Sequence, residues 1–406
     1  MSRVIIFFAA ILISLTAFGQ TKSSVFNEFY LKHLELENKY RENYDEKNFK
    51  QAEVILKEQI TLADNVKLSE VEISEFQPVI NRIKAVAYYN LACTYSLLNQ
   101  KKQAVDNFEK SVVLGYNDYY HFLEDNDLDN IRKEKRFVSL LKELSEKTNL
   151  SILKRAGGYE KSDTVDLPLF YYETHESGRM KDVRRYFKLD SIAGNSDEIS
   201  KILNIMYWIH NSIRHDGTNN ALAEFSSIDL YHYHKATEKG INCRHLAIAL
   251  NEMYLSMGWK SRYVVCLPKD EKDKDCHVIN CVWVDSLQKW IWLDPTFAAY
   301  VKDENGTFLS INEVRERLLD GRPLELNEDA NWNNEKKQTK EEYLINYMAK
   351  NLYWLQVPVN SQFNPESRYR NDVIKYVSLL PIGYKRSNMD NLGTITHDDE
   401  YFWQKP

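Results

Sequence analysis

The sequence predicts an α+β chain, with an all-helical N-terminal region followed by a domain of mixed helix and strand. Three observations lead there. Residues 25 to 148 carry apolar residues recurring at three and four, few glycines and one proline, Pro78, which is the pattern of amphipathic helices. From about Ile152 to Leu326 the texture changes to helical stretches interleaved with short β-branched runs. A length of 406 residues allows two or three domains.

Composition narrows the function. Lys and Arg number 53 against 59 Asp and Glu, a net charge of −6, which argues against a nucleic-acid surface or an anionic-membrane anchor. Hydrophobic residues at 43% and aromatics at 13% are too abundant for a disordered chain.

The N-terminus reads as a secretory signal peptide over residues 1–19. Arg3 gives a positive start, Val4 to Leu15 is apolar, and Ala17-Phe18-Gly19 offers small residues for cleavage. The apolar run is shorter than the roughly 20 residues of a spanning helix. No Cys follows it, which disfavours a lipoprotein. The mature chain is expected to be exported to the periplasm or outside the cell, and not integral to the membrane.

Residues 20–148 form the helical region. Tyr88, Leu91, Ala92, Tyr95, Ala104, Phe108 and Ser111 are spaced as in a tetratricopeptide repeat, and Phe49, Ala52 and Leu56 give a weaker echo. About three repeats make a stable solenoid, so this region is expected to lean on its neighbour for core. It is either a groove for a protein partner or a scaffold without a ligand.

Residues 149–330 form the second domain. Ile202, Ile205, Met206, Ile209 and Ile213 mark one helix. A second opens at Asn242, whose side chain can accept from first-turn amides, and stops at Gly258. Strands are expected over Ser261 to Leu267, His277 to Asp285 and Lys289 to Leu293. Asn331 to Lys340 reads as a polar linker, and residues 331–406 as an extension of helix and strands that packs back on the body.

Five cysteines are an odd number for an exported chain, so at least one is unpaired within it. Cys243 lies in the first turn of the helix that Asn242 caps, where the dipole and free amides favour a thiolate. With an even loop around Asp285-Ser286, His277 and Asp294 fall opposite each other on one face of a hairpin. Cys276 points away from that face and is expected opposite Cys266, as a disulfide or as two buried thiols. Cys281 is a weaker rival nucleophile. His232 and His234, read as alternate residues of a strand, with His245 nearby, raise a metal site. No ligand spacing completes it, so neither metal nor cofactor is expected, and these residues are placed instead along the groove beside Cys243.

The stretches Gly240-Ile-Asn-Cys-Arg-His-Leu-Ala-Ile-Ala-Leu, Met257-Gly-Trp-Lys-Ser-Arg-Tyr-Val, His277 and Trp290-Ile-Trp-Leu-Asp-Pro-Thr296 resemble the core of the transglutaminase-like superfamily. The resemblance covers roughly residues 199 to 300. It implies a papain-like core, a helix packed on antiparallel sheet, with Cys243 as nucleophile, His277 as general base and acid, and Asp294 as orienting carboxylate. Where the family often has Trp two residues after its His, this chain has Ile279. The function so implied is cysteine acyl transfer on a peptide or protein amide through a Cys243 thioester, most simply a peptidase or amidase. The alternatives are a cross-linking transamidase and a non-catalytic peptide- or glycan-binding envelope protein.

Overall fold

The computed structural model describes residues 23–161, 166–369, 373–388 and 392–406. The segment read as a signal peptide lies outside them. Among the described residues no helix is long and apolar enough to cross a membrane. The chain divides after Lys147 into two compact units, one residue from the boundary expected at 148.

The first unit is helical: α1 (Ser24–Asp45), α2 (Phe49–Asp64), α3 (Glu70–Leu97), α4 (Lys101–Val113), α5 (Tyr119–Glu124), a 3-10 segment (Asn126–Ile131) and α6 (Lys135–Lys147). Ser69 and Glu72 start α3 with a reciprocal capping box. Three-residue connections fold α1 on α2 and α3 on α4 as antiparallel neighbours. Of the residues singled out in the sequence, Ala52, Leu56, Leu91, Ala92, Tyr95, Ala104, Phe108 and Ser111 are buried, and Phe49 and Tyr88 are half-buried. The expectation that the region lacks a core of its own needs correcting. Phe108 packs on Phe122 and Phe137 at ring distances of 5.0 and 4.7 Å, so helices α5 and α6 close the end of the helical pairs. Residues 23–147 expressed alone should therefore unfold in one cooperative denaturant transition. A broad, non-cooperative loss of helix would show that these aromatic contacts are insufficient.

The second unit is a mixed helix and sheet fold. Its helices include α7 (Glu198–Ser212), α8 (Ser227–Thr237) and α9 (Cys243–Ser256). Three strands, β1 (Ser261–Leu267), β2 (His277–Val284) and β3 (Lys289–Leu293), lie where the sequence places them. Asn331 to Lys340 is not a bare linker, since β4 (Asn331–Trp332) and β5 (Lys336–Lys337) form a small hairpin within it. The C-terminal stretch adds β6 (Trp354–Pro358), β7 (Tyr376–Leu379) and β8 (Thr394–Thr396). The main sheet runs β8-β7-β6-β1-β2-β3, antiparallel except for β7 with β8. The extension therefore supplies half the strands of the sheet.

Both faces of this sheet are covered, which is why its strands read as nearly continuous apolar runs. Ile205, Ile209, Leu246, Leu250, Val282 and Ile291 form the core on the side of α7 and α9. Ile279, Cys281, Trp292, Tyr343, Leu344 and Met348 form the other. Ile279, which stands where the family often has Trp, is spent in this second core.

Two registers differ from expectation. In β2 and β3, Asn280 pairs Leu293 and Val284 pairs Lys289, so the loop holds four residues, with Gln288 at positive φ. His277 and Asp294 are thus offset by two positions. An even slip keeps them on one face. Cys266 pairs His277, which leaves Cys276 out of register with Cys266, and all five cysteines are free.

Candidate functional site

Cys243 heads α9. Asn242 has extended backbone and its Oδ1 accepts from His245 N–H at 3.0 Å, fixing the first turn. The next residue anchors it. Arg244 Nη1 donates to Glu366 Oε1 at 2.7 Å, and Tyr263 and Tyr376 hydroxyls donate to the same oxygen at 2.9 and 2.8 Å. Burial opposes the charge on Arg244, but the Glu366 carboxylate beside it holds its pKa above the ordinary value.

His277 and Asp294 are both buried, and His277 Nε2 lies 2.7 Å from Asp294 Oδ2. Tyr343 OH donates to that oxygen at 2.6 Å and Thr296 N–H to Oδ1 at 2.8 Å. Trp292 Nε1–H in turn donates to Tyr343 OH at 3.2 Å. Tyr343 sits in a π-helical turn, Glu341–Met348, whose Tyr347 ring lies edge-on to His277 at 5.2 Å. The carboxylate is therefore held by three donors, and the imidazole is held by the carboxylate and a ring.

The electrostatics follow from these contacts. Burial works against a thiolate at Cys243, yet the donors on His215 and His277, and then the charge of His277, bring its pKa down to about 6. For His277, burial disfavours the imidazolium, but the charge and hydrogen bond of Asp294, followed by Cys243, raise it to about 10. Asp294 engages Nε2, so Nδ1 is left for the sulfur. Between those values the pair stands as thiolate and imidazolium.

The other thiols differ. Burial pushes Cys276 up, and Cys93, Cys266 and Cys281 as well. Cys281, named as the rival nucleophile, is buried against Trp292 and its neighbours on the second core face. Brief treatment with iodoacetamide near pH 6.5 should thus modify Cys243 well before the rest, as read by peptide mapping. Modification of Cys276 first would show that the helix start does not favour its thiolate.

The three histidines of the metal reading do not meet. His232 and His234 lie on helix α8, because Ser226 caps it by accepting from Asp229 N–H. His232 Nε2 bonds Tyr186 OH at 2.6 Å, and His234 Nδ1 bonds Lys239 O at 2.8 Å. His245 is buried against Phe225, ring to ring 4.4 Å, and burial lowers its pKa to about 4. Among the described residues, ligand atoms converge within 4.8 Å at Cys93, Asp125 and Asp127. There the Tyr44 and Tyr89 hydroxyls donate to the two carboxylates, and Cys93 Sγ bonds Asp125 at 3.7 Å, so the group is tied up within the helical unit.

Sequence reasoning missed His215, Tyr343 and Trp332. Trp332 Nε1–H donates to His215 Nδ1 at 2.9 Å from the β4–β5 hairpin. The signal was present in Asn333-Asn334, two asparagines at positive φ, the usual mark of a tight turn.

Comparison with known proteins adds three findings. Residues 186–295 match the sequence model of the transglutaminase-like superfamily. A stretch of 120 residues is 32% identical to a chloroplastic protein of Arabidopsis thaliana, and takes in 27% of this chain and 36% of that protein. The chain thus spans about a third of that relative. A crystal structure of a candidate cysteine protease from Cytophaga hutchinsonii aligns at 20% identity and a TM-score of 0.23, over 37% of this chain and 49% of the other. Residues 186–295, which hold Cys243, His277 and Asp294, therefore form a transglutaminase-like core within a mixed helix and sheet chain.

Proposed function

We propose that this chain is an exported cysteine acyl-transfer enzyme that hydrolyses amide or peptide bonds through a thioester on Cys243. The observation that carries the reading is the hydrogen-bonded series from Trp292 through Tyr343 and Asp294 to His277, whose imidazolium is favoured further by the Cys243 thiolate at the start of α9. A carboxylate and a histidine so arranged beside a thiol at a helix start have the geometry of an activated nucleophile. In this reading the thiolate attacks the amide carbonyl, and the His277 imidazolium gives its proton to the leaving amine. Water then enters against the thioester, with His277 as base, and releases the acid. The helical unit serves as a docking element of tetratricopeptide type for the protein that bears the amide.

The direct test is intact-mass analysis of purified protein incubated with activated esters and amides. One acyl adduct per chain, lost in Cys243→Ala, is expected. Persistent absence of adduct from a folded protein with accessible Cys243 would end the reading.

Its pH dependence follows from the two shifted groups. Below about 6 the thiol is protonated and the nucleophile is lost; above about 10 the imidazolium is lost and the amine leaves without a proton. Acylation by an amide should therefore be bell-shaped with a broad top. A maximum confined below pH 5 would contradict the ion pair.

A further inference from the structure

A second histidine stands at the same sulfur, and its surroundings give it a different task from His277. His215 pairs with Ile241 in a parallel bridge, two residues before Cys243. The approach is close: a Cβ on Gly240 would lie 2.7 Å from Asp216 Cβ and 2.8 Å from Arg214 O. The backbone of His215 is clamped as well. Its N–H donates to Asn333 Oδ1 at 2.8 Å, and its carbonyl accepts from Asn333 Nδ2 at 3.0 Å.

The side chain is fixed by an indole. Trp332 Nε1–H can only donate, so His215 Nδ1, 2.9 Å away, must offer a lone pair and the ring proton resides on Nε2. That N–H is the free donor of the ring, and the bridge to Ile241 sets His215 beside the segment that opens on Cys243, whose pKa it helps to lower. His277 is held in the opposite sense, with its Nε2 on a carboxylate that favours the imidazolium. One imidazole is set up to carry a proton to and fro, the other to donate without releasing it.

We infer that His215 is the side-chain donor to the oxyanion, a catalytic residue acting with the Cys243 backbone N–H, and that Trp332 is the positioning residue that fixes its tautomer. The inference rests on the thioester reading above. As the Sγ–C bond forms, the carbonyl π pair moves onto oxygen, so the negative charge passes from sulfur to an atom two bonds away. A donor already beside the sulfur follows that charge with a small shift, and it need lose no proton. When the carbonyl re-forms, the C–N bond breaks and the amine takes its proton from His277. No other reactant is required.

The test compares two reactions of the same thiol. Acylation by an activated ester develops an oxyanion; alkylation by iodoacetamide does not. Removing one oxyanion donor costs about 10²–10³ in rate. His215→Ala should therefore lower acylation by about that factor, measured above pH 8 where the thiol is ionised, while alkylation changes less than about tenfold. His215→Gln, which keeps an N–H donor at similar reach, should recover a large part of the loss. Trp332→Phe should lower acylation without a matching change in alkylation.

Equal losses in both reactions for His215→Ala would overturn the inference and leave His215 as a tuner of the thiolate. So would full acylation in His215→Ala, or failure of Gln to restore any rate in a variant that still alkylates normally. Wild-type protein that never acylates would instead sink the thioester reading itself, and this inference with it.

Discussion

Asp294→Asn should lower the rate of Cys243 acylation by roughly 10³–10⁴, with little loss of fold, if the carboxylate orients and charges His277 as proposed. The side chain is buried and receives His277 Nε2, Tyr343 OH and Thr296 N–H. An amide of the same shape can satisfy part of this set, but it presents either a neutral acceptor or a competing donor to the imidazole. The charge that raises the His277 pKa is then gone. His277 releases its proton more readily, and Cys243 loses a source of its depressed pKa, so the thiol should titrate closer to the free value of about 8.5. Two readouts therefore move together: acylation at pH 7 falls, and the alkylation profile shifts to higher pH. Cys243→Ala abolishes both. If Asp294→Asn acylates at the wild-type rate, the orienting role assigned to this carboxylate is wrong.

Trp292→Ala should cost about 3–5 kcal/mol of stability, the range for deleting a fully buried indole. Trp292 is buried and sits opposite Cys281 at the middle of the second core face, where nothing nearby can collapse to fill its volume without moving Tyr343. At about 2–4 °C per kcal/mol for a unit of this size, the melting temperature should fall by roughly 6–20 °C. Trp292→Phe separates packing from hydrogen bonding. It keeps most of the apolar volume but removes the donor to Tyr343 OH, so a loss of about 1–2 kcal/mol is expected. A shift below about 2 °C in the alanine variant would mean that this face is not packed as described.

The sequence made legible what depends on short range. Asn242 as a cap, Cys243 in the first turn, Gly258 as a stop and three strands of β-branched residues each follow from a few neighbours, and all lie where they were placed. His277 and Asp294 meet although the loop between β2 and β3 is two residues longer than assumed, because an even slip preserves the face. An error of one was not forgiven: Cys276 misses Cys266. The alternation Tyr231-His-Tyr-His suggested a strand, but the Ser226 cap and the packing of Ile228, Leu230 and Tyr231 made a helix. His215, Trp332 and Tyr343 were out of reach for a different reason. Each reaches its partner at the site, Cys243 for His215, His215 for Trp332 and Asp294 for Tyr343, across 28 or more residues, through a bridge, a hairpin and a π-helical turn that no local pattern ties to the site.

The sheet order has a consequence for the time course of biosynthesis. Strand β1 lies between β2 and β6, and Tyr343, which holds Asp294, stands just before β6 in the chain. A ribosome that has released Cys243, His277 and Asp294 has made every reacting group, yet the sheet still lacks three strands and the carboxylate lacks its tyrosine. Such pairing over long sequence separation is slow and waits for the last segment. The growing chain should thus stay chemically silent until residues near Thr396 have emerged. With the activity proposed above, the nascent chain would in this way be kept from acting on neighbouring polypeptides, the delay being built into the order of its own strands.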